Sequence, residues 1–240
     1  MMEKVTKSQI KLIKSLQLKK NRDELSLFVA EGAKCVEELR KSFELVHLYR
    51  EGENASRTEI EQMSGLKTPQ GVVGVFRKRP MDEAGWMMDD LVIALDGIQD
   101  PGNLGTIIRT CDWFGVHDIV CSKDTADCYN PKVVQATMGA LCRVRIHYVD
   151  LPEWLTKQEC PIIGTLLEGE NMYKVLSTFD SKRSTIIVMG NEGNGISQEV
   201  RKLITHPVRI PSYPNEKASD VIESLNVSIA TAIVLAEFRR

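Results

Sequence analysis

The sequence predicts an α/β protein with a mainly parallel sheet in its larger, second part and a small α/β block before it. Strand and helix patterns alternate from residue 91 to the carboxyl terminus, which is typical of α/β domains. The run 91–95 is apolar throughout, as expected for a strand covered on both faces. Residues 77–90 break the pattern with proline, glycine and charge. We therefore expect a domain at 1–78, a linker at 79–90 and a second domain at 91–240.

The first block contains short elements of both kinds. A helix is predicted over 4–20, because Val5, Leu12 and Ile13 share one helical face and lysines occupy another. The other predicted elements are a strand at 27–30, a helix at 31–40, a strand at 43–49, a helix at 57–63 and a strand at 72–76.

The second block begins with the strand at 91–95 and a helix at 103–115. Further strands are predicted near 118–122, 143–149, 162–167, 185–189 and 207–210, with helices between most of them. A final helix is predicted over 224–240. Since this helix is apolar on most sides, we expect the core or a second subunit to cover it.

Composition narrows the class of protein. The chain has 240 residues and a net charge of −2, so contact with RNA would have to come from local basic patches rather than from the overall charge. No two of the six cysteines are separated by only two residues, so we expect reduced thiols and no metal site. The sequence shows no apolar signal region and no run long enough to span a membrane, which predicts a soluble, cytoplasmic protein.

The first motif joins the strand at 91–95 to the helix that follows it. Residues 96–109 read DGIQDPGNLGTIIR, and their three glycines allow close approach of the backbone. Asn103 is a candidate helix N-cap. Arg109 has apolar sequence neighbours, so it either binds an anionic or carbonyl partner or extends into water.

The second motif is a glycine-rich turn at the end of the predicted strand 185–189. It reads Met189, Gly190, Asn191, then Glu-Gly-Asn, then Gly195. The glycine order, G-x-x-G-x-G, differs from the G-x-G-x-x-G order of dinucleotide-binding folds, which disfavours NAD. Residue types alone leave two interpretations open: a ligand-binding loop, or a tight turn that needs glycine for its positive φ.

The third motif consists of Val208–Pro211 and the segment Ser224–Ala230 at the start of the last helix. Ser224 is a candidate N-cap for that helix. Asn226 and Ser228 place further polar atoms at the same end. A plain helix cap and a ligand contact are both compatible with these residues.

These three segments, in this order and spacing, resemble the motif set of the SpoU/TrmH family of RNA ribose 2′-O-methyltransferases. Residues 127–133 and 138–140 match the family's intermediate segment, and the first block, with 28–32 and 68–71, resembles the substrate-binding module often fused ahead of it. The resemblance covers nearly the whole chain. It departs from the family at 212–223, where the loop is longer, and at Gln135, where members often carry arginine.

The resemblance implies a SPOUT-type α/β knot, with a C-terminal trefoil knot that holds S-adenosylmethionine and forms most of a homodimer interface. The residues implied to line the cofactor pocket are Met189, Gly190, Asn191, Gly195, Ile210 and Leu225. Those implied to surround the transferring methyl group and the ribose are Asn103, Arg109, Glu192, Ser224 and Asn226.

The chemistry of methyl transfer gives these residue types a reason. A ribose hydroxyl is a poor nucleophile at neutral pH, so the enzyme must align it with the methyl group and stabilise the charge that develops on its oxygen. Arg109 can donate hydrogen bonds to that oxygen or to the adjacent phosphate, but a guanidinium hardly ever acts as a general base. Ser224 and Asn226 could position the hydroxyl.

Contact with RNA is predicted for the amino terminus, which carries a run of basic residues: Lys4, Lys7, Lys11, Lys14, Lys19, Lys20 and Arg22. A solvated helix face would explain the same lysines. A catalytically inactive RNA-binding protein with the same fold is the main functional alternative, and a small-molecule oxidoreductase is a more distant one. Calorimetry with S-adenosylmethionine and with NAD would separate the oxidoreductase from the other two.

Overall fold

The computed structural model describes residues 4–80, 90–179, 184–213 and 224–240. These residues form two compact units, one made of 4–80 and 127–143, the other of 90–126 and the described part of 144–240. Most of the expected linker, residues 81–89, lies outside the described residues, so the predicted division at 79–90 stays a prediction. Residues 127–143 group with the first block, which was not predicted from the sequence.

The helices and strands alternate along most of the chain. In chain order they are α1 (Lys7–Ser15), α2 (Lys19–Leu25), β1 (Leu27–Glu31), α3 (Ala33–Leu39), β2 (Leu45–Arg50), α4 (Arg57–Met63), β3 (Val72–Arg77), β4 (Leu91–Asp96), α5 (Pro101–Trp113), β5 (Asp118–Ser122), α6 (Pro131–Thr137), a 3-10 turn (Ala140–Cys142), β6 (Arg145–Val149), α7 (Leu151–Thr156), β7 (Ile162–Asn171), α8 (Met172–Leu176), β8 (Thr185–Gly190), α9 (Gln198–Arg201), β9 (His206–Arg209) and α10 (Val227–Phe238).

The first unit contains a three-stranded antiparallel sheet in the order β1-β3-β2. The predicted single helix over 4–20 is wrong, because the chain forms α1 and α2 with a break between them. Arg22 stabilises the break, since its Nη1 donates to the carbonyl oxygens of Leu16 and Gln17, both at 2.8 Å. These carbonyls lie at the end of α1, where an intrahelical partner is lacking.

Arg22 also forms a buried ion pair with Asp127, with Nη2 and Oδ2 2.7 Å apart. Only 2% of the Arg22 side chain is exposed, so the prediction that it contributes to a basic RNA-binding surface is wrong. Tyr129 packs on Phe28, with ring centroids 4.8 Å apart. Contacts of this kind hold 127–143 in the first unit.

The second unit contains a six-stranded sheet in the order β6-β5-β4-β8-β7-β9, and all its pairings are parallel. This confirms the predicted fold class. All six residues of β4 are buried, which confirms the prediction for the apolar run 91–95 and adds Asp96. The path of the chain through the predicted knot includes 214–223, which lie outside the described residues.

Asp118 begins β5, at the edge of the sheet opposite to the carboxyl ends of the strands, and its side chain is fully buried. Burial would raise the pKa of this carboxyl group, but hydrogen bonds from His147 and Arg145 outweigh burial and lower the pKa to about 2. Asp118 is therefore ionised in the folded protein over the ordinary pH range.

No described helix is long and apolar enough to cross a membrane.

Candidate active site

The turn that follows β4 is joined to the two neighbouring strands of the sheet. Gly97 has φ +73°, a conformation that favours glycine. Its N–H donates to Oγ of Ser122, the last residue of β5, at 2.8 Å, and its carbonyl oxygen accepts from Nδ2 of Asn191, just after β8, at 2.6 Å. Three strand ends thus meet at the carboxyl edge, where parallel sheets bind ligands.

Helix α5 begins at Pro101, two residues before the predicted start. Its N-cap is Asp100, whose Oδ1 accepts from the Asn103 N–H at 2.8 Å. The expectation that Asn103 caps the helix is therefore wrong. Because Asp100 satisfies the helix end, the Asn103 side chain in the first turn is left for other contacts.

The glycine turn after β8 is closed by its own backbone. Asn191 and Gly195 exchange two N–H···O hydrogen bonds of 2.9 Å, and Asn191 Oδ1 accepts from the N–H groups of Gly193 and Asn194. A Cβ atom on Gly190 would lie 2.4 Å from backbone atoms of Gly195 and Ile196. The geometry requires glycine at 190, and Gly195, with φ +68°, also adopts a conformation that favours glycine.

The last helix begins at Val227, and its N-cap is Asn226 rather than the predicted Ser224. Asn226 Oδ1 accepts from the N–H of Ser228 at 3.0 Å and from the Ser228 hydroxyl at 2.6 Å. This leaves the amide nitrogen of Asn226 available. Ser224 and Leu225 precede the helix and are exposed.

Asn103 brings the three predicted motifs together. Asn226 Nδ2 donates to Asn103 Oδ1 at 2.9 Å, and Asn103 Nδ2 donates to Glu192 Oε1 at 2.9 Å. Both ends of the Asn103 amide are thus held, one by the start of α10 and the other by the glycine turn. Three stretches separated by 89 and 123 residues in sequence meet at one place.

The residues predicted to line the cofactor pocket differ in what they can offer a ligand. A Cβ atom on Gly195 would have no atom within 4 Å, so the outer side of the turn is open. Leu225 is 50% exposed, and Ile210 is partly buried. The Met189 side chain is buried and accepts a contact from Thr165, so only the Met189 backbone can face a ligand. An open glycine turn and an exposed leucine next to Asn226 in sequence fit the apolar and backbone surroundings that a nucleoside needs.

Arg109 stands apart from this network. It lies two turns beyond Asn103 on α5, and its side chain is exposed, in contrast to its apolar sequence neighbours. Among the described residues, its guanidinium makes no hydrogen bond or ion pair of those identified. Arg109 is thus free to meet a partner from solution.

Comparison with known proteins assigns the family. The SpoU rRNA Methylase family matches residues 90–236, more than half of the chain, and the MRM3-like substrate binding domain matches residues 7–59. The chain belongs to the SpoU rRNA methylase family. The sequence resemblance to SpoU/TrmH proteins, with a substrate-binding module ahead of the methylase domain, is thereby confirmed.

Individual relatives match three quarters or more of the chain. The 23S rRNA (guanosine(2553)-2′-O)-methyltransferase RlmP of Bacillus subtilis is 28% identical over 99% of this chain and 98% of its own. An uncharacterized tRNA/rRNA methyltransferase of Synechocystis is 35% identical over 75% of this chain, which spans 64% of that protein. The crystal structure of an AdoMet-bound rRNA methyltransferase from Sinorhizobium meliloti superposes with a TM-score of 0.82 at 31% identity, covering 99% and 96% of the two chains.

Two residues that support the candidate site, Asp96 and Asp100, were not predicted from the sequence. Asp96 ends β4, and its Oδ2 accepts from the N–H of Ser197, the N-cap of α9, at 2.7 Å. Asp100 caps α5 and frees Asn103. An aspartate directly after a buried strand, and another before proline, are signals that could have pointed to these two positions.

Proposed function

We propose that this protein transfers a methyl group from S-adenosylmethionine to a ribose 2′-hydroxyl of ribosomal RNA. The observation that carries the proposal is the hydrogen-bonded chain Asn226–Asn103–Glu192, which joins the glycine turn to the start of α10. Membership of the SpoU rRNA methylase family supports the reaction, and similarity to an AdoMet-bound rRNA methyltransferase and to a 23S rRNA guanosine 2′-O-methyltransferase supports the cofactor and the substrate.

Bound S-adenosylmethionine would supply an activated methyl group on its sulfonium sulfur. We infer that the backbone of 189–191 and Gly195, together with Ile210 and Leu225, holds this cofactor. The chain's own part in the reaction is alignment of the ribose hydroxyl and stabilisation of negative charge on its oxygen.

Arg109 suits the second of these tasks. It carries a permanent charge and several N–H donors that can reach the ribose oxygen or the neighbouring phosphate. Asn226 and Ser224 lie next to the proposed cofactor residue Leu225, where they can orient the hydroxyl. Glu192 and Asn103 fix the position of Asn226 through the hydrogen bonds described above.

A homodimer formed through α5 and α10 completes the proposal. The two helices pack together and leave an apolar groove on the outside, lined by residues that include Phe114, Ile229 and Ile233. Ile229 is 53% exposed, although it belongs to a helix that is apolar on nearly all sides. A second copy would cover this surface. We place the protein in the cytoplasm, where ribosomal RNA is available to it.

Transfer of a radioactive methyl group to rRNA tests the proposed reaction directly. The purified protein is incubated with methyl-tritiated S-adenosylmethionine and ribosomal RNA from a strain that lacks its gene, and label is followed into nucleotides whose 3′ linkage resists alkaline hydrolysis. We expect such alkali-resistant label at one position. Label only on a base, or none on any RNA despite cofactor binding, would contradict the proposal.

A further inference from the structure

The outer face of α5 carries an exposed tryptophan beyond the candidate active site. Thr106, Arg109 and Trp113 are spaced three and four residues apart, so they follow one another along a single exposed stripe of the helix. The Trp113 side chain is 84% exposed. Large aromatic side chains are usually buried in a folded protein, so an exposed indole on this stripe calls for a partner.

Positive charge lies on both sides of Trp113 along the helix. Arg109 is one turn before it. After it, the guanidinium of Arg239 binds the end of α5, with Nε 3.1 Å from the Phe114 carbonyl oxygen and Nη2 3.2 Å from that of Gly115. The neighbouring acidic residue Asp112 is partly buried. The surface therefore presents a flat ring between two guanidinium groups, and we call these three residues, Arg109, Trp113 and Arg239, the α5 stripe.

A single-stranded nucleic acid fits both the exposed ring and the positive charge of this stripe. Unpaired bases stack on aromatic side chains regardless of base identity, and the phosphates between them need positive charge. A second copy of the chain fits less well, because a two-fold contact through the stripe would bring arginines of both copies together. The apolar groove that suits a second copy shares Thr106 with this face of the helix, but Arg109, Trp113 and Arg239 are not among its lining residues.

We propose that Trp113 is a stacking platform for an unpaired base of the substrate RNA near the methylated nucleotide, with Arg109 and Arg239 neutralising phosphates on either side. This rests on the proposed function for the presence of RNA, but of the three residues of the α5 stripe only Arg109 has a proposed part in methyl transfer. From Asn103 to Trp113 the helix rises about 15 Å. The stacked base is therefore outside the reacting nucleotide, and Trp113 contributes to RNA affinity rather than to the chemical step.

Indole fluorescence reports stacking at this position. The chain contains three tryptophans, so the double variant Trp86→Phe, Trp154→Phe leaves Trp113 as the only indole. This variant is titrated with a 12-nucleotide oligoadenylate, with inorganic phosphate as the control for charge alone. We expect quenching that saturates with the oligonucleotide and weakens as salt is added, and no quenching with phosphate.

Steady-state kinetics on ribosomal RNA separate affinity from chemistry. For Trp113→Ala we expect a KM for RNA about 5- to 100-fold higher, with little change in kcat or in cofactor affinity. Trp113→Phe keeps an aromatic ring and should recover most of the affinity. Tyr173→Ala, which removes a 38% exposed aromatic ring from α8, is the matched control and should leave the KM unchanged.

Three results would overturn the proposal that Trp113 stacks on an RNA base. The first is that RNA does not quench Trp113 fluorescence, and the second is that Trp113→Ala has the normal KM for RNA. The third is that Trp113→Ala dissociates a dimer, which would place the indole between two copies of the chain. Failure of the proposed function looks different, because the unaltered protein would then transfer no methyl group to rRNA even if RNA quenched Trp113.

Discussion

The first turn of α5 and the middle of the same helix differ in whether their polar side chains are already hydrogen-bonded within the protein. In the first turn, both ends of the Asn103 amide are hydrogen-bonded, to Asn226 and to Glu192. Two turns later, Arg109 is exposed and makes none of the polar contacts identified among the described residues. The proposed cofactor side is thus preorganised, whereas Arg109, on the side that we propose faces RNA, has none of these contacts in the free protein. Preorganisation lowers the cost of aligning the methyl donor.

The largest effect on cofactor binding is expected from Gly190→Ala. The new methyl group would lie 2.4 Å from the backbone of Gly195 and Ile196, so the turn would have to open. We expect S-adenosylmethionine binding to weaken more than about 100-fold by calorimetry, the result of losing about 3 kcal/mol of interaction. Gly193→Ala is the control, because its Cβ would meet only Asn191 Oδ1 at 3.6 Å, and it should bind normally. Normal binding by Gly190→Ala would remove the turn from the site.

Arg109→Ala tests the exposed middle of α5, where the side chain has no hydrogen bond of those identified among the described residues. Removal of one charge-stabilising donor costs about 100- to 1,000-fold in kcat. Because Arg109 makes none of these contacts within the chain, we expect normal thermal unfolding and normal cofactor affinity. Lys157→Ala, at an exposed cation of the same unit, is the control and should keep full activity. Turnover near that of the unaltered protein would show that Arg109 has no part in the chemistry.

Asn103→Ala should have an intermediate effect, on both turnover and cofactor affinity. It breaks the link between the glycine turn and the start of α10, so we expect kcat to fall about 10- to 100-fold and cofactor affinity to fall as well. Asn103→Asp should be at least as harmful, since it sets a second carboxylate against Glu192. Equal activity of Asn103→Asp and the unaltered protein would contradict the role given to this hydrogen bond.

The smallest effect on the site is expected from Asp118→Asn, at the opposite edge of the sheet. The folded-state pKa of Asp118, about 2, lies below its ordinary value of 3.8, so its ionised form stabilises the fold above about pH 4. This stabilisation is lost as pH falls from about 4 to about 2. We expect Asp118→Asn to lower the free energy of unfolding by about 2 kcal/mol at pH 7, with the difference shrinking over that range. Cofactor affinity at pH 7 should be unchanged; a large loss would mean that the two edges of the sheet are coupled.

The sequence predicted the parallel sheet and the family well, because hydrophobic runs and ordered glycine motifs are local signals. It failed where a tertiary contact decides between equivalent local choices. Asp100 and Asn103 are both good N-caps, as are Ser224 and Asn226, and only the fold shows which member of each pair is used. Arg22 was predicted to belong to a basic surface, because nothing near it in sequence indicates its ion pair with Asp127, 105 residues away.

We propose that residues 189–195 and the start of α10 form one cavity for a sulfonium donor. A crystal structure of the protein with S-adenosylmethionine tests it most directly. The cofactor should lie against the Gly190–Gly195 turn and Leu225, with Asn103 still hydrogen-bonded to Asn226 and Glu192. Cofactor bound elsewhere, for example in the cleft between α8 and β9 beside Lys174 and His206, would contradict the account.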